Sequence, residues 1–228
     1  MQAVRDRIAR AARSCGRRPE DIRLLAVSKT FPAERVAEVY AAGQSAFGEN
    51  YVQEAVAKIE VLHDLAVEWH FIGPIQSNKT RPIAEHFSWV HSIERAKVAE
   101  RLNAARPHNL PPLNVCIQVN VSGEDSKSGV APGDEMALAR AIAALPRLRL
   151  RGLMAIPEPT DDAALMRQRF RLLGQLLKGL AAAGYVVDTL SMGMSDDLEA
   201  AIAEGATIVR VGTAIFGARA GQASHGRV

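Results

Sequence analysis

The stretch LLAVSKT, residues 24–30, decides the fold because an unbroken apolar run ends there in a lysine. Such a run predicts a strand buried in the core. Only six of the 28 basic residues are lysine, and one of them, Lys29, stands at the end of this strand. By itself the stretch favours an amine that extends to solvent along apolar surface. A desolvated lysine can also lose its proton and attack a carbonyl to form a Schiff base, which an arginine cannot do.

Apolar runs of this kind recur along the chain with helical patterns between them. Most are continuous in Val, Ile and Leu, as expected for parallel strands covered on both faces. Eight strands that alternate with helices predict a (β/α)8 TIM barrel in a single domain. An open doubly wound sheet is the alternative, but no Gly-x-Gly-x-x-Gly follows the first strand. The predicted strands are residues 24–28, 45–48, 67–72, 89–93, 114–121, 148–154, 186–191 and 207–211, and the predicted helices are 34–42, 50–62, 94–105, 133–145, 161–183 and 196–204.

Composition limits the classes of function. The net charge of +3 is small and the basic residues are scattered, so we expect no nucleic-acid partner. No apolar run is long enough to span a bilayer, and we expect no membrane partner. Cys15 and Cys116 fit neither a disulfide framework nor a metal motif, which indicates a reducing cytoplasm. We predict a barrel over residues 1–220 and a flexible tail over 221–228.

Two turns of small residues follow the last two predicted strands. The carboxyl ends of barrel strands meet on one face, where the chemistry of such folds takes place. Residues 191–196 (SMGMSD) and 209–214 (VRVGTA) each offer unhindered backbone N–H groups and a hydroxyl at the start of a helix. That combination binds phosphate, and these two loops are the usual phosphate site of a TIM barrel. Ser195 as a mere helix cap is the alternative, but the pair of turns favours phosphate.

Three polar residues near the strand ends have two interpretations each. Arg210 lies within an apolar strand, where a buried guanidinium needs either a carboxylate partner or an acceptor on a ligand. Asn50 either caps the next helix or reaches into the barrel mouth. His70, which lies between Trp69 and Phe71, is predicted to be a hydrogen-bonded core histidine rather than a catalytic one.

A lysine on the first strand, a phosphate cradle at the last two strands and a buried arginine together predict pyridoxal 5′-phosphate (PLP) as the cofactor. Its aldehyde would form a Schiff base with Lys29, and its ring nitrogen would face Arg210. A guanidinium has no acceptor atom, so the ring would stay neutral and be a weak electron sink. No catalytic residue and no metal ligand are predicted. The predicted cofactor-binding residues are Lys29, Asn50, Ser191, Met194, Ser195, Arg210, Gly212 and Thr213.

Seven segments resemble the pyridoxal phosphate homeostasis protein family, also called the YggS or PROSC type. The resemblance covers nearly the whole chain and implies an alanine-racemase-like barrel with PLP on Lys29. It also implies a role in buffering or delivering PLP, linked to amino-acid and keto-acid balance, with no established catalytic activity and with apo-PLP enzymes as partners. The segments are 25–30 (LAVSKT), 47–54 (FGENYVQE), 69–79 (WHFIGPIQSNK), 118–124 with 127–129 (QVNVSGE, KSG), 152–156 (GLMAI), 191–197 (SMGMSDD) and 209–217 (VRVGTAIFG).

The alternative function is a PLP-dependent amino-acid racemase of the alanine racemase barrel type. Such racemases add a C-terminal β domain that gives a catalytic tyrosine to a partner subunit, and this chain ends shortly after the barrel. Of Tyr40, Tyr51 and Tyr185, only Tyr51 could come near the aldehyde. A class I aldolase that uses Lys29 would need an acid–base partner, and no carboxylate pair indicates one. We therefore predict a cytoplasmic, monomeric carrier rather than an enzyme.

Overall fold

The chain folds into a closed barrel of parallel strands. A computed structural model describes residues 1–124 and 128–217, and the tail predicted over 221–228 lies outside these residues. Within the described ranges, eight strands pair in the order of the sequence, and the last strand closes on the first with Leu25 opposite Arg210. The prediction of a (β/α)8 barrel is confirmed, and the open sheet is wrong. No helix in the described part of the chain is long and apolar enough to cross a membrane.

Strands and helices alternate from the first strand onward. The strands are β1 Arg23–Val27, β2 Ala46–Glu49, β3 Glu68–Phe71, β4 Trp89–Ile93, β5 Leu113–Gln118, β6 Leu148–Met154, β7 Thr189–Ser191 and β8 Ile208–Val211. The helices are α1 Gln2–Ser14, α2 Ala33–Ala41, α3 Val52–Val61, α4 Thr80–His86, α5 Ala96–Ala105, α6 Glu135–Ala143, α7 Ala163–Ala182, α8 Leu198–Ala203 and α9 Thr213–Phe216, with short 3-10 turns at Pro19–Asp21 and Ser77–Lys79.

The alternation of side chains along each strand divides the core into two layers. In β1, Leu25 and Val27 point into the barrel, where they pack with Ile72 and Ile208. The intervening Ala26 belongs to the larger layer between the strands and the helices. The same alternation directs the side chain of Lys29, two positions after Val27, toward the barrel mouth. Lys29 therefore reaches the carboxyl face of the barrel rather than the helix layer.

Two elements show the clearest differences from the prediction. The predicted strand 186–191 is only Thr189–Ser191 in the structure, because Val186 is 94% exposed and has no layer to pack against. Helix α4 was not predicted, and Pro82 lies in its first turn. Proline is tolerated in a first turn because the N–H it lacks would have no intrahelical partner there.

Candidate cofactor site

A cavity of about 190 Å³ opens at the carboxyl ends of β1, β7 and β8. It brings together six of the eight residues predicted to bind the cofactor, all except Asn50 and Ser191. Three lining residues were not predicted, and each is a chain neighbour of a predicted one or lies two positions from it. The lining residues are Val27, Lys29, Phe31, Met194, Ser195, Asp196, Arg210, Gly212 and Thr213. A larger groove of about 480 Å³ lies below α1 at the other end of the barrel, but it contains no lysine and neither small-residue turn.

Lys29 lies in a tight turn immediately after β1, and buried bonds hold the residue before it. Ser28 is fully buried, and its Oγ donates a hydrogen bond to Glu49 Oε1 at 2.6 Å. Its carbonyl oxygen accepts one from Lys58 Nζ at 2.8 Å. The Cα position of Lys29 is thereby tied to β2 and to α3.

The residue after Lys29 is also held by α3, and it has a strained conformation. The Thr30 N–H donates to Glu54 Oε1 at 2.6 Å. Thr30 has φ +68°, in the left-handed region that a β-branched residue rarely adopts. Strain of this kind persists only where surrounding contacts impose it, and it is concentrated at functional sites. The turn that presents Lys29 to the cavity is therefore imposed by its neighbours.

One ionic cluster on α3 and β2 supplies both anchors, and we call Glu49, Glu54 and Lys58 the Lys58 clamp. Lys58 Nζ lies 2.7 Å from Glu49 Oε1 and 2.5 Å from Glu54 Oε1. The Lys58 side chain is 6% exposed, and that of Glu49 is fully buried. Burial raises the pKa of Glu49, although the charge of Lys58 opposes the shift. The other carboxylate oxygen, Glu49 Oε2, is buried without a hydrogen-bond partner.

The turn between β7 and α8 is held from two sides and leaves Ser195 without a capping role. Helix α8 begins at Leu198 and its cap residue is Asp197, so the interpretation of Ser195 as a helix cap is wrong. The Asp197 carboxylate instead accepts the Met194 N–H at 2.5 Å. Arg7 on α1 donates to the Ser195 carbonyl at 2.6 Å. Burial raises the pKa of Asp197, which faces these backbone groups.

Two glycines let the small-residue turns approach their neighbours. Gly193 has φ +94°, and a Cβ there would lie 2.6 Å from the Cβ of Ala201. A Cβ on Gly212 would lie 3.1 Å from the carbonyl oxygen of Val27, so this turn packs directly on β1. Helices α8 and α9 have only six and four residues, and their dipoles are therefore small. Backbone N–H groups and hydroxyls are what these turns offer an anion.

Arg210 is buried and held by uncharged acceptors. Its Nη1 donates to the Ser191 carbonyl at 2.6 Å and to Ser191 Oγ at 2.8 Å. Its Nη2 donates to the Ala155 carbonyl at 2.8 Å. No carboxylate contacts the guanidinium among residues 1–124 and 128–217, so the interpretation as a structural ion pair is wrong. Burial lowers the pKa of Arg210 to about 10, against the charge of Asp197, and the group stays cationic at neutral pH.

Of the two predicted residues outside the cavity lining, Ser191 contacts a lining residue and Asn50 follows β2, the strand that pairs with β1. Ser191 is fully buried and contacts Arg210 as described. The cap residue of α3 is Tyr51, so of the two interpretations of Asn50 the one as a helix cap is wrong. Asn50 Oδ1 is buried without a hydrogen-bond partner. An orphaned amide at the mouth of the barrel fits a bound group with polar ring substituents, because half a turn about χ2 presents either its acceptor or its donor.

A row of hydrogen-bonded side chains runs behind Arg210 through the barrel. His91 Nδ1 lies 2.8 Å from Ser191 Oγ, and His91 Nε2 lies 2.9 Å from His70 Nδ1. His70 Nε2 lies 2.6 Å from Glu68 Oε1, which pairs with Arg23 at the opposite end of the barrel. We call Glu68, His70, His91 and Ser191 the histidine row.

The histidine row confirms one prediction and adds residues that were missed. His70 is fully buried with both ring nitrogens bonded, as predicted for a core histidine. Burial lowers its pKa to about 4, despite the opposing effect of Glu68. Burial also lowers the pKa of His91 well below its ordinary value. The sequence contained a signal for the row, because His70, His91 and Arg210 are polar residues within predicted buried strands.

Other reactive groups lie away from this chemistry. Tyr51, the predicted candidate for a second base, is 53% exposed. Cys116 is fully buried, and burial raises the pKa of its thiol to about 12. The described residues contain no group of three or more His, Cys, Asp or Glu that could hold a metal ion. The cavity with Lys29 therefore carries the chemistry of the site.

Comparison with known proteins places this barrel and site in a class. Residues 1–220 match the family model described as Alanine racemase, N-terminal domain. Alanine racemase from Corynebacterium glutamicum has the same fold, with a TM-score of 0.67 at 20% identity, over 99% of this chain and 64% of that one. The protein is thus an alanine-racemase-type barrel.

Two further relatives define the family more narrowly. The chain is 64% identical to the pyridoxal phosphate homeostasis protein of Pseudomonas aeruginosa over 216 residues. The matched region covers 95% of this chain and 93% of the relative. PipY of Synechococcus elongatus PCC7942, solved with PLP bound, is 39% identical with a TM-score of 0.81, over 92% of this chain and 100% of that one. The chain belongs to the pyridoxal phosphate homeostasis protein family, and the resemblance found in its sequence is confirmed.

Proposed function

We propose that this protein binds PLP on Lys29 and serves to buffer and deliver it within the cytoplasm. The observation that carries the proposal is a single cavity in which a strand-end lysine faces two small-residue turns. The name of the Pseudomonas aeruginosa relative and the PLP bound to PipY support the cofactor. An exposed free thiol at Cys15 supports a reducing compartment. We further propose a monomer whose barrel extends over residues 1–220 and whose recipients are apo-PLP enzymes.

Each predicted residue has a role in this proposal. Lys29 takes the aldehyde as a Schiff base, and Ser195, Gly212 and Thr213 hold the phosphate through hydroxyls and backbone N–H groups. Arg210 donates toward the ring nitrogen, and Ser191 orients Arg210. Asn50 and Met194 contact the ring, Asn50 through the amide whose oxygen is orphaned and Met194 from the cavity wall.

The same residues favour a carrier over a racemase. PLP supplies an electron sink when its ring nitrogen is protonated. Arg210 can only donate hydrogen bonds, so it cannot accept one from a protonated ring nitrogen and does not stabilise that protonated form. A racemase also needs a second base, and neither tyrosine nor histidine lines the cavity among the described residues. Asp196 is the carboxylate in the described lining, and it is exposed beside the proposed phosphate site.

Reduction of the holo-protein with borohydride followed by peptide mapping tests the proposal. We expect the label on Lys29 and loss of visible colour in Lys29→Ala, whereas Lys97→Ala, a change of an exposed lysine on α5, keeps both. The same preparations are assayed for interconversion of alanine enantiomers and for reactivation of an apo-transaminase. A label on another lysine would refute the Schiff-base assignment. Racemisation that is lost in Lys29→Ala would make the protein an enzyme.

A further inference from the structure

The two ends of the histidine row fix the direction of every hydrogen bond in it. At one end Arg210 carries only N–H groups and can only donate, here to Ser191 Oγ. At the other end the ionised carboxylate of Glu68 can only accept, here from His70. Between them, each hydroxyl or neutral imidazole has one donor and one acceptor position in the row. With both rings neutral, the sequence of bonds therefore has a single consistent arrangement.

That arrangement assigns both histidine tautomers. Ser191 receives a bond from Arg210 and donates its own proton to His91 Nδ1, so His91 carries its proton on Nε2. His91 Nε2–H donates to His70 Nδ1, and His70 Nε2–H donates to Glu68. In this arrangement a second proton on either ring would place two donors against each other. Burial also lowers the pKa of both imidazoles, so both are neutral and each is bonded on both sides.

We propose that Glu68, His70 and His91 are positioning residues that act through Ser191 to hold the Arg210 guanidinium in one orientation at the cofactor cavity. This assignment rests on the proposed binding of PLP. The row is a static support and not a proton path, because arginine at its cavity end does not release a proton. Every bond in the row except the half-buried one to Glu68 is buried, so the loss of one partner leaves another polar atom unsatisfied away from water.

The groups that face the row from neighbouring elements reinforce the neutral state. Arg23 at the start of β1 pairs with Glu68 at 2.6 Å and keeps this carboxylate charged. The ring of Trp89 stacks on His70 with centroids 5.3 Å apart, which excludes water from that ring. The positive charges of Arg23 and Arg210 both disfavour a second proton on His91.

Nitrogen-15 NMR of the histidine side chains in the apo-protein tests the row without any cofactor. We expect two rings in the neutral Nε2–H form from about pH 8 down to about pH 5. Ser191→Ala should alter the Nδ1 shift of one of these rings. For His70 or His91, the Nδ1–H form, or conversion to an imidazolium within this range, would overturn the proposed arrangement.

A pair of ligands tests whether the row serves the ring nitrogen. PLP and its 1-deaza analogue share the aldehyde and the phosphate, but the analogue has carbon in place of that nitrogen. We expect His91→Phe to weaken PLP binding about tenfold and to leave the affinity for the analogue unchanged. Ser191→Ala, which removes few atoms, is the second variant, and it should show the same selectivity.

The possible results separate this proposal from the proposed function. Equal losses for both ligands, or no loss for either, would overturn the positioning role while leaving PLP binding intact. A wild-type protein that binds neither ligand would refute the proposed function and the positioning role together. The tautomers in the apo-protein would still decide whether the row itself is correctly assigned.

Discussion

The turn that carries Lys29 and the strand that carries Arg210 lie side by side in the barrel, and the protein holds them in different ways. The charged side chains of the Lys58 clamp form hydrogen bonds to Ser28 and Thr30, the residues on either side of Lys29. The support of Arg210 reaches the guanidinium itself, and it consists of uncharged groups.

The difference follows from what each cation must do. A lysine that forms a Schiff base must lose its charge, so its position is best fixed through the backbone. Arg210 stays cationic at neutral and acidic pH, so titration in this range does not break the bonds made directly to its side chain. The comparison predicts that the Lys58 clamp and the histidine row contribute to stability in different ways.

Breaking the Lys58 clamp is expected to have the largest effect. Lys58→Met leaves the fully buried Glu49 without its cationic partner, and removal of one member of a buried ion pair typically costs about 3–5 kcal/mol. The free energy of unfolding from denaturant titration measures this loss. Lys97→Met, on an exposed face of α5, should change the same quantity by less than about 0.5 kcal/mol.

A double variant separates the burial of charge from the loss of packing. Lys58→Met combined with Glu49→Met removes both buried charges and should recover most of the stability lost in the single variant. Its labelling at Lys29 should nevertheless fall, because Ser28 and Thr30 lose part of their support. A double variant as unstable as Lys58→Met would show that packing, and not the unpaired charge, dominates this cluster.

The histidine row is expected to make the protein sensitive to acid. The ordinary pKa of His70 is 6.5 and the folded value is about 4. Between these values the unfolded chain binds a proton that the folded chain does not, so stability falls as the pH is lowered through this window. The shift of about 2.5 units corresponds to about 3 kcal/mol, and His91 acts in the same direction.

Protonation in the Lys58 clamp changes the free energy of unfolding in the opposite direction, so one pH titration distinguishes the two regions. Burial raises the pKa of Glu49, so its folded form binds a proton more readily than its unfolded form and this carboxylate gains stability in acid. His70→Asn should therefore flatten the decline in unfolding free energy between pH 6.5 and about 4. A decline that is equally steep in His70→Asn and in the wild type would place the acid sensitivity outside the histidine row.

The sequence predicted the features that depend on local pattern and on topology. The apolar runs are continuous, so the sequence predicted all eight strands. Because the carboxyl ends of barrel strands converge, it also predicted that Lys29, Ser195 and Thr213 lie on one face. The strand predicted to begin at Val186 was too long, because an apolar residue in a loop resembles the start of a strand.

The sequence could not show how the cations are supported. Lys58 and Glu54 are spaced as an ordinary surface pair on α3, and only the packing of α3 against β2 buries the lysine beside Glu49. The partner of His70 is likewise a histidine 21 positions away, and strand register rather than sequence spacing brings the two rings together. Support of this kind depends on tertiary neighbours that no short motif encodes.

The smallest expected effect concerns the strained residue that completes the Lys58 clamp. Thr30 has φ +68°, and a left-handed conformation costs a residue with a Cβ about 1–2 kcal/mol. Thr30→Gly removes that cost but raises the entropy of the unfolded chain, which offsets about 0.5–1 kcal/mol. Thr30→Ala keeps the strain, and both variants remove the exposed part of the Thr30 side chain.

We therefore expect Thr30→Gly to be about as stable as the wild type, and Thr30→Ala to be less stable than Thr30→Gly by about 1 kcal/mol in denaturant titration. Because both variants keep the backbone N–H that bonds to Glu54, both should retain the label on Lys29. If Thr30→Ala were the more stable of the two, the left-handed turn would not be imposed on this residue in solution. The conclusion that the Lys29 turn is anchored through its backbone would then be wrong. The conclusion that side chains support Arg210 would be unaffected.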